Sequence, residues 1–220
     1  MRKLLLSLAA MTCFVGSVSA ADHITVLNGT MHKIDDEGNQ WRQQGALWVE
    51  VRRDGAWKNT QRISASTSDN LLIVLQNNWL HSVDPSNGAY TVLTRGVLYD
   101  PKKMTGLCGL NGYAYFIYDD TLCRVKLDGT GGMEPINPTN RWPNTEAMAS
   151  NQKSMLIVQN GVLHRLYENG SYTILTPGTV WSGTTSIFPA SEGNYVITQR
   201  GWLHLLYDVD KGGAFKIVKP

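Results

Sequence analysis

The side chains best suited to ligate a metal or move a proton are His32, His81, His164, His204 and Cys123. All five occupy one position of a recurring motif: Met31-His32-Lys33-Ile34, Leu80-His81-Ser82-Val83, Leu122-Cys123-Arg124-Val125, Leu163-His164-Arg165-Leu166 and Leu203-His204-Leu205-Leu206. The steps between them are 49, 42, 41 and 40 residues. A period of about 40 residues marks tandem supersecondary units. Residues at one repeat position are spread around the common axis, about 72° apart for five units. On a third strand they stand more than ~10 Å from that axis, so they cannot converge on one ion. No metal or other cofactor is expected. Each imidazole is instead expected to hydrogen-bond a backbone group, since buried polar groups need partners. Cys123 in place of a histidine fits a packing position better than a ligand set.

A second repeated set could recognise a ligand. Trp57-Lys58-Asn59-Thr60, Trp142-Pro143-Asn144-Thr145 and Trp181-Ser182-Gly183-Thr184 link consecutive units, and Tyr99-Asp100-Pro101 stands in the remaining link. An indole face stacks on the apolar face of a sugar, and adjacent Thr and Asn side chains can bond its hydroxyls. The same tryptophans could equally wedge between units as buried apolar mass. Residue types alone leave both roles open.

Catalysis finds less support. The acidic residues gather in turns, as in Asp35-Asp36-Glu37 and Asp119-Asp120. A glycosidase of this architecture needs inward carboxylates. The segments read as innermost strands contain Ser64-Ala65-Ser66, Leu107-Cys108-Gly109, Ala147-Met148-Ala149-Ser150 and Phe188-Pro189-Ala190, with no carboxylate. The chain is expected not to be an enzyme.

The elements that position these residues are short strands. Ile24–Leu27, Leu72–Leu75, Tyr115–Tyr118, Leu156–Val158 and Tyr195–Thr198 are β-branched and aromatic runs. Each is followed by a two-residue turn such as Asn28-Gly29, Asn77-Asn78 or Asn160-Gly161. Asn-Gly supplies the positive φ angles of a tight antiparallel hairpin. The motif strand follows, then an Asp/Gly loop, then a run opened by an aromatic: Trp41, Tyr90, Tyr172 or Phe215. Four antiparallel strands per unit predict an all-β fold, a β-propeller of five blades. The first blade is expected to be incomplete or irregular. It enters at its second strand, leaving four inner strands, and carries an extra strand-like segment, Leu47–Val51.

Short blades with Gly-x-Leu-x-x-Val and link tryptophans resemble the tectonin and tachylectin-2 type of repeat propeller. The resemblance implies a lectin-like module that binds carbohydrate between blades. The corresponding positions are Trp57, Thr60, Tyr99, Trp142, Thr145, Trp181 and Thr184. The alternative function is a periplasmic or extracellular scaffold for a protein partner.

Arg2 and Lys3, the apolar run Leu4–Val15 and the small residues Val18-Ser19-Ala20 read as a secretory signal peptide over residues 1–20. The run is too short to span a bilayer, so no membrane insertion is expected. Residues 21–220 then form a single periplasmic or secreted domain. Of its 20 basic residues, the chain loses Arg2 and Lys3 with the leader, which matches the 18 acidic ones. Such balance gives no electrostatic reason to expect nucleic acid. Cys108 and Cys123 fall on the first and third strands of one unit. Those strands lie about 9.6 Å apart, beyond the reach of a disulfide.

Overall fold

A computed structural model of the chain describes residues 23–94, 98–176, 178–190, 194–207, 209 and 214–218. The expected signal peptide lies outside the described residues. Among the described residues twenty strands form three four-stranded sheets and one eight-stranded sheet. Every neighbouring pair is antiparallel except one. The first sheet contains β1 (His23–Leu27), β2 (Thr30–Ile34), β3 (Gln40–Gln44) and β4 (Leu47–Arg52). The second array contains β5 (Thr60–Ser66), β6 (Leu71–Gln76), β7 (Trp79–Val83) and β8 (Tyr90–Val92). The third contains β9 (Met104–Leu110), β10 (Tyr113–Tyr118), β11 (Thr121–Lys126) and β12 (Glu134–Pro135). These two arrays form the eight-stranded sheet through a single parallel pair, Ser66 with Gly109. The fourth contains β13 (Thr145–Ser150), β14 (Met155–Gln159), β15 (Val162–Leu166) and β16 (Tyr172–Thr176). The fifth contains β17 (Thr184–Pro189), β18 (Tyr195–Gln199), β19 (Trp202–Tyr207) and β20 (Ala214–Val218).

The hairpin chemistry read from the sequence is what closes these strands. Both central residues of each turn take the left-handed conformation: Asn28 and Gly29, Asn77 and Asn78, Asp119 and Asp120, Asn160 and Gly161, Arg200 and Gly201. Two consecutive positive φ values give the turn twist that matches paired strands.

The first strands of all five arrays, β1, β5, β9, β13 and β17, line one cavity. Consecutive arrays pack face to face. Four buried apolar clusters fill the spaces between arrays one and two, two and three, three and four, and four and five. Each cluster interleaves alternate residues of two sheets, such as Ile73, Leu75 and Leu80 against Leu107 and Phe116.

The first array departs from the expected layout. β1 was expected as a second strand; it is the innermost, packs along β5 and lines the cavity. His32 therefore sits on the second strand of its sheet, whereas His81, His164 and His204 sit on third strands. The extra segment Leu47–Val51 becomes β4, the outer strand, paired along β3. The physical reason is pairing. The β1–β2 hairpin keeps its register, and the β3–β4 hairpin supplies the missing strand at the outside of the sheet.

The small residues of the inner strands reflect crowding near the axis. A Cβ on Gly109 would overlap Ser66 Cβ and lie 2.6 Å from Ile73 Cδ1. Cys108 and Cys123 flank β10, paired with Tyr115 and Phe116, and both are buried and unbonded. Gly109→Ala is expected to destabilise the fold by about 2 kcal/mol, the usual cost of overpacking a core. Urea denaturation checks it, with the midpoint falling at unchanged m.

Candidate functional site

Each link aromatic joins two arrays. The backbone N–H of Tyr99 donates to Asn78 O at 2.8 Å, that of Trp142 to Asp120 O at 2.8 Å and that of Trp181 to Gly161 O at 2.9 Å. The acceptor lies in a hairpin turn of the preceding array. The ring packs into the following array, edge-on to the motif histidine and to the aromatic that opens the outer strand. Trp57 meets His81 at 5.5 Å and Tyr90 at 5.3 Å. Trp142 meets His164 at 5.5 Å and Tyr172 at 5.2 Å. Trp181 meets His204 at 5.3 Å and Phe215 at 5.2 Å. Where the link carries Tyr99, its neighbours are Phe116 at 5.3 Å and Tyr118 at 5.7 Å.

Trp57, Tyr99, Trp142 and Trp181 are all at most 2 % exposed. The partner threonines close the link locally. Thr60, Thr145 and Thr184 Oγ1 donate to the carbonyls of Trp57, Trp142 and Trp181 at 2.6, 2.9 and 2.7 Å. The structure thus brings each Trp and Thr together, but turns the hydroxyl onto the chain and covers the indole. The outer-strand aromatics Tyr90, Tyr172 and Phe215 are the half-exposed members of each trio.

The histidines differ from expectation in their bonding. Nδ1 of His32, His81, His164 and His204 is buried with no hydrogen-bond partner among the described residues. Ring packing, not a backbone bond, holds the three that belong to trios. Burial pushes all four imidazoles below the ordinary histidine pKa, His32 and His81 to about 4, and Arg42 adds to the effect at His32. Among the described residues no group of three His, Cys, Asp or Glu side chains could hold a metal ion.

The described inner strands also line an axial cavity, about 260 Å³ in volume. Its charged or titratable lining residues are His23, Arg62 and Glu146. Glu146 corrects the expectation that the inner strands carry no carboxylate: it is the second residue of β13, one place before the segment read as strand. Its carboxylate is fully engaged. Oε1 accepts from Gly161 N at 2.7 Å, and Oε2 accepts from Gly183 N at 2.7 Å and Thr184 N at 3.1 Å. Three backbone donors fix this side chain as a clamp between the fourth array and the next link. Gln61 holds the same place on β5 and grips Asn78, its Nε2 donating to Oδ1 at 2.8 Å and its Oε1 accepting from the backbone N–H at 3.2 Å. Thr105, at the second position of β9, has a buried Oγ1 without a partner among the described residues.

Neither a protein-family model nor a curated protein sequence matches the chain. Solved structures do resemble it. Virginiamycin B lyase from Staphylococcus aureus superposes with a TM-score of 0.57 at 16% identity, over 92% of this chain and 71% of that one. A chain of a nidogen/laminin complex gives 0.58 at 12% identity, over 90% and 79%. A symmetrical protein described for its de novo evolutionary emergence gives 0.56 at 15% identity, over 84% and 85%. These likenesses define the fold as a β-propeller of repeated four-strand sheets. One neighbour is by name a lyase and another belongs to a complex between proteins, so fold likeness alone does not choose between catalysis and binding. Among the described residues no helix is long and apolar enough to cross a membrane.

Two predictions follow from this geometry. An imidazole protonates near pH 6.5 in the unfolded chain but only at lower pH when folded. The unfolded state therefore binds more protons between those values, and the stability fully present above pH 6.5 is lost as pH falls toward 4. The thermal midpoint should drop across that window, and His81→Phe should flatten the slope. Glu146→Ala leaves three backbone donors unmet and should cost on the order of 2 kcal/mol, read as a lowered urea midpoint.

Proposed function

We propose that the chain is an exported, non-catalytic binding module: five blades closed in a ring, the first irregular, taking its ligand in the axial cavity. The observation that carries this reading is the shared cavity, to which the first strand of every array contributes. A site built from all five units is held rigid by the packing between them, the setting a preformed pocket requires. The engagement of Glu146 by three backbone donors supports a binding role over a catalytic one, because a general acid or base needs its carboxyl free for the substrate proton. Export is proposed from the leader-like residues 1–20. N-terminal sequencing of the exported form should begin at Ala21.

Carbohydrate held between blades at Trp57, Thr60, Tyr99, Trp142, Thr145, Trp181 and Thr184 is the competing placement. It requires the aromatic trios to open, since the link rings are buried. A protein partner docking its tip into the cavity is compatible with the axial placement.

Glycan and peptide arrays probed with residues 21–220 test this directly. Ser186 lines the cavity, so Ser186→Trp should fill it and remove binding, while a folded Trp142→Phe protein should keep it. Binding that survives Ser186→Trp and disappears in folded Trp142→Phe would return the site to the links.

A further inference from the structure

Arg62 is the one lysine or arginine among the residues that line the axial cavity. It lies on the inner strand β5, next to the irregularity between Thr60 and Arg62 in the pairing with β6. Its side chain is half-buried, and among the described residues it has no ion pair and no hydrogen-bond acceptor. The cavity's own carboxylate does not serve it, because Glu146 is turned onto Gly161, Gly183 and Thr184. Other arginines with resolved partners behave differently. Arg52 pairs with Asp54 at 2.7 Å and Arg124 with Glu134 at 3.0 Å, both toward solvent. Burial without a partner is costly for a cation, and it depresses the Arg62 pKa below the ordinary arginine value. Thr105, on the neighbouring inner strand, adds a hydroxyl whose buried oxygen has no partner among the described residues.

The geometry points to Arg62 as the anchor of a carboxylate-binding site, which takes one ligand carboxylate into the axial cavity. This inference rests on the axial reading given above. A guanidinium offers two parallel N–H donors that match a carboxylate edge to edge. A single unpaired positive charge fits a monoanion better than a phosphate dianion. The volume of about 260 Å³ admits the end of a ligand, about one sugar ring or one terminal peptide residue. The carboxylate could therefore be that of a uronic acid or of a peptide C-terminus.

The test is isothermal titration of the purified protein with D-glucuronate and with N-acetyl-Ala-Ala, each set against its uncharged amide. One acid should bind at least tenfold more tightly than its amide, and whichever does so names the source. Arg62→Gln should abolish that discrimination, Arg62→Lys should keep part of it, and binding should weaken as salt rises. Thermal unfolding supplies a readout that a structural role would not give. Because Arg62 has no partner to lose, ligand-free Arg62→Met should melt at the same temperature as the parent or higher. A marked fall in melting temperature, or acid and amide binding equally with Arg62→Gln unchanged, overturns the assignment. So does a folded protein that binds neither acid. If Ser186→Trp still abolishes binding on the arrays while Arg62→Gln does not, the carboxylate assignment fails and the axial reading survives. If Ser186→Trp also leaves binding intact, both fail.

Discussion

The link aromatic is the contact on which the rest of the fold depends. Its backbone N–H belongs to the turn of one array and its ring to the core of the next. Other hydrogen bonds also cross between arrays, such as Ser82 Oγ to Leu127 O and Tyr195 Oη to Ser154 O. The link aromatic combines such a tie with a large buried ring, and apolar packing alone fixes neither angle nor register. Burying one indole is worth roughly 5 kcal/mol at 25 cal/mol per Å², as an upper bound. That is comparable to the whole net stability of a domain. The trio geometry adds direction to this mass. Edge-on contacts at 5.2 to 5.5 Å set Trp, His and the outer aromatic at near right angles in three arrays. Burial holds the histidine pKa low, so the imidazole acts as a flat neutral ring that an aromatic edge can meet. Where the link aromatic is Tyr99, the position is the buried Cys123 and the ring packs on Phe116 and Tyr118 instead.

Around this staple the sequence was legible to the extent that it repeats. The turn pairs, the strand runs and the link motif each recur, and each recurrence corresponds to a local device: positive φ, β-branched packing, a capped link. Leu47–Val51 was visible as a strand, but its place in the sheet was not. Placement there depends on which strand occupies the axis, and β1 carries the pattern of a second strand while taking the first position. A local pattern reports how a strand pairs, not how far from the axis it sits. The expectation of backbone bonds to the histidines failed for a related reason. Burial was legible, but the partners are the link tryptophan ahead of the first strand of the same array and the aromatic that opens the next strand, and a recurring spacing does not say which side chains meet.

The axial residues were illegible because they do not repeat. The position after the link threonine is Gln61 in one array, Glu146 in another and Thr185 in a third. Gln61 and Glu146 solve one problem, gripping a hairpin turn, with different chemistry. A period search averages such differences away. Reading the inner strand from Ala147 also removed Glu146 from view by one residue, within the ordinary error of strand boundaries.

Repetition and function are therefore read from opposite signals in this chain. Similar units packed side by side gain stability from what they share, so the shared link aromatics and motif histidines are packed, and here they are buried. A ligand that lies on the axis meets one residue from each unit. If all units presented the same charge there, like charges would face one another at short range in a low-dielectric space. Selectivity on the axis must come from breaking the repeat. Arg62 breaks it: the corresponding positions two places after the link threonine are Ala147 and Ser186. In the cavity the Arg62 cation has His23 and neutral polar residues such as Gln61, Thr105 and Ser186 around it, while the Glu146 carboxylate is taken up by backbone donors. A ligand on the axis would therefore meet one cation without the mutual repulsion a ring of like charges would carry.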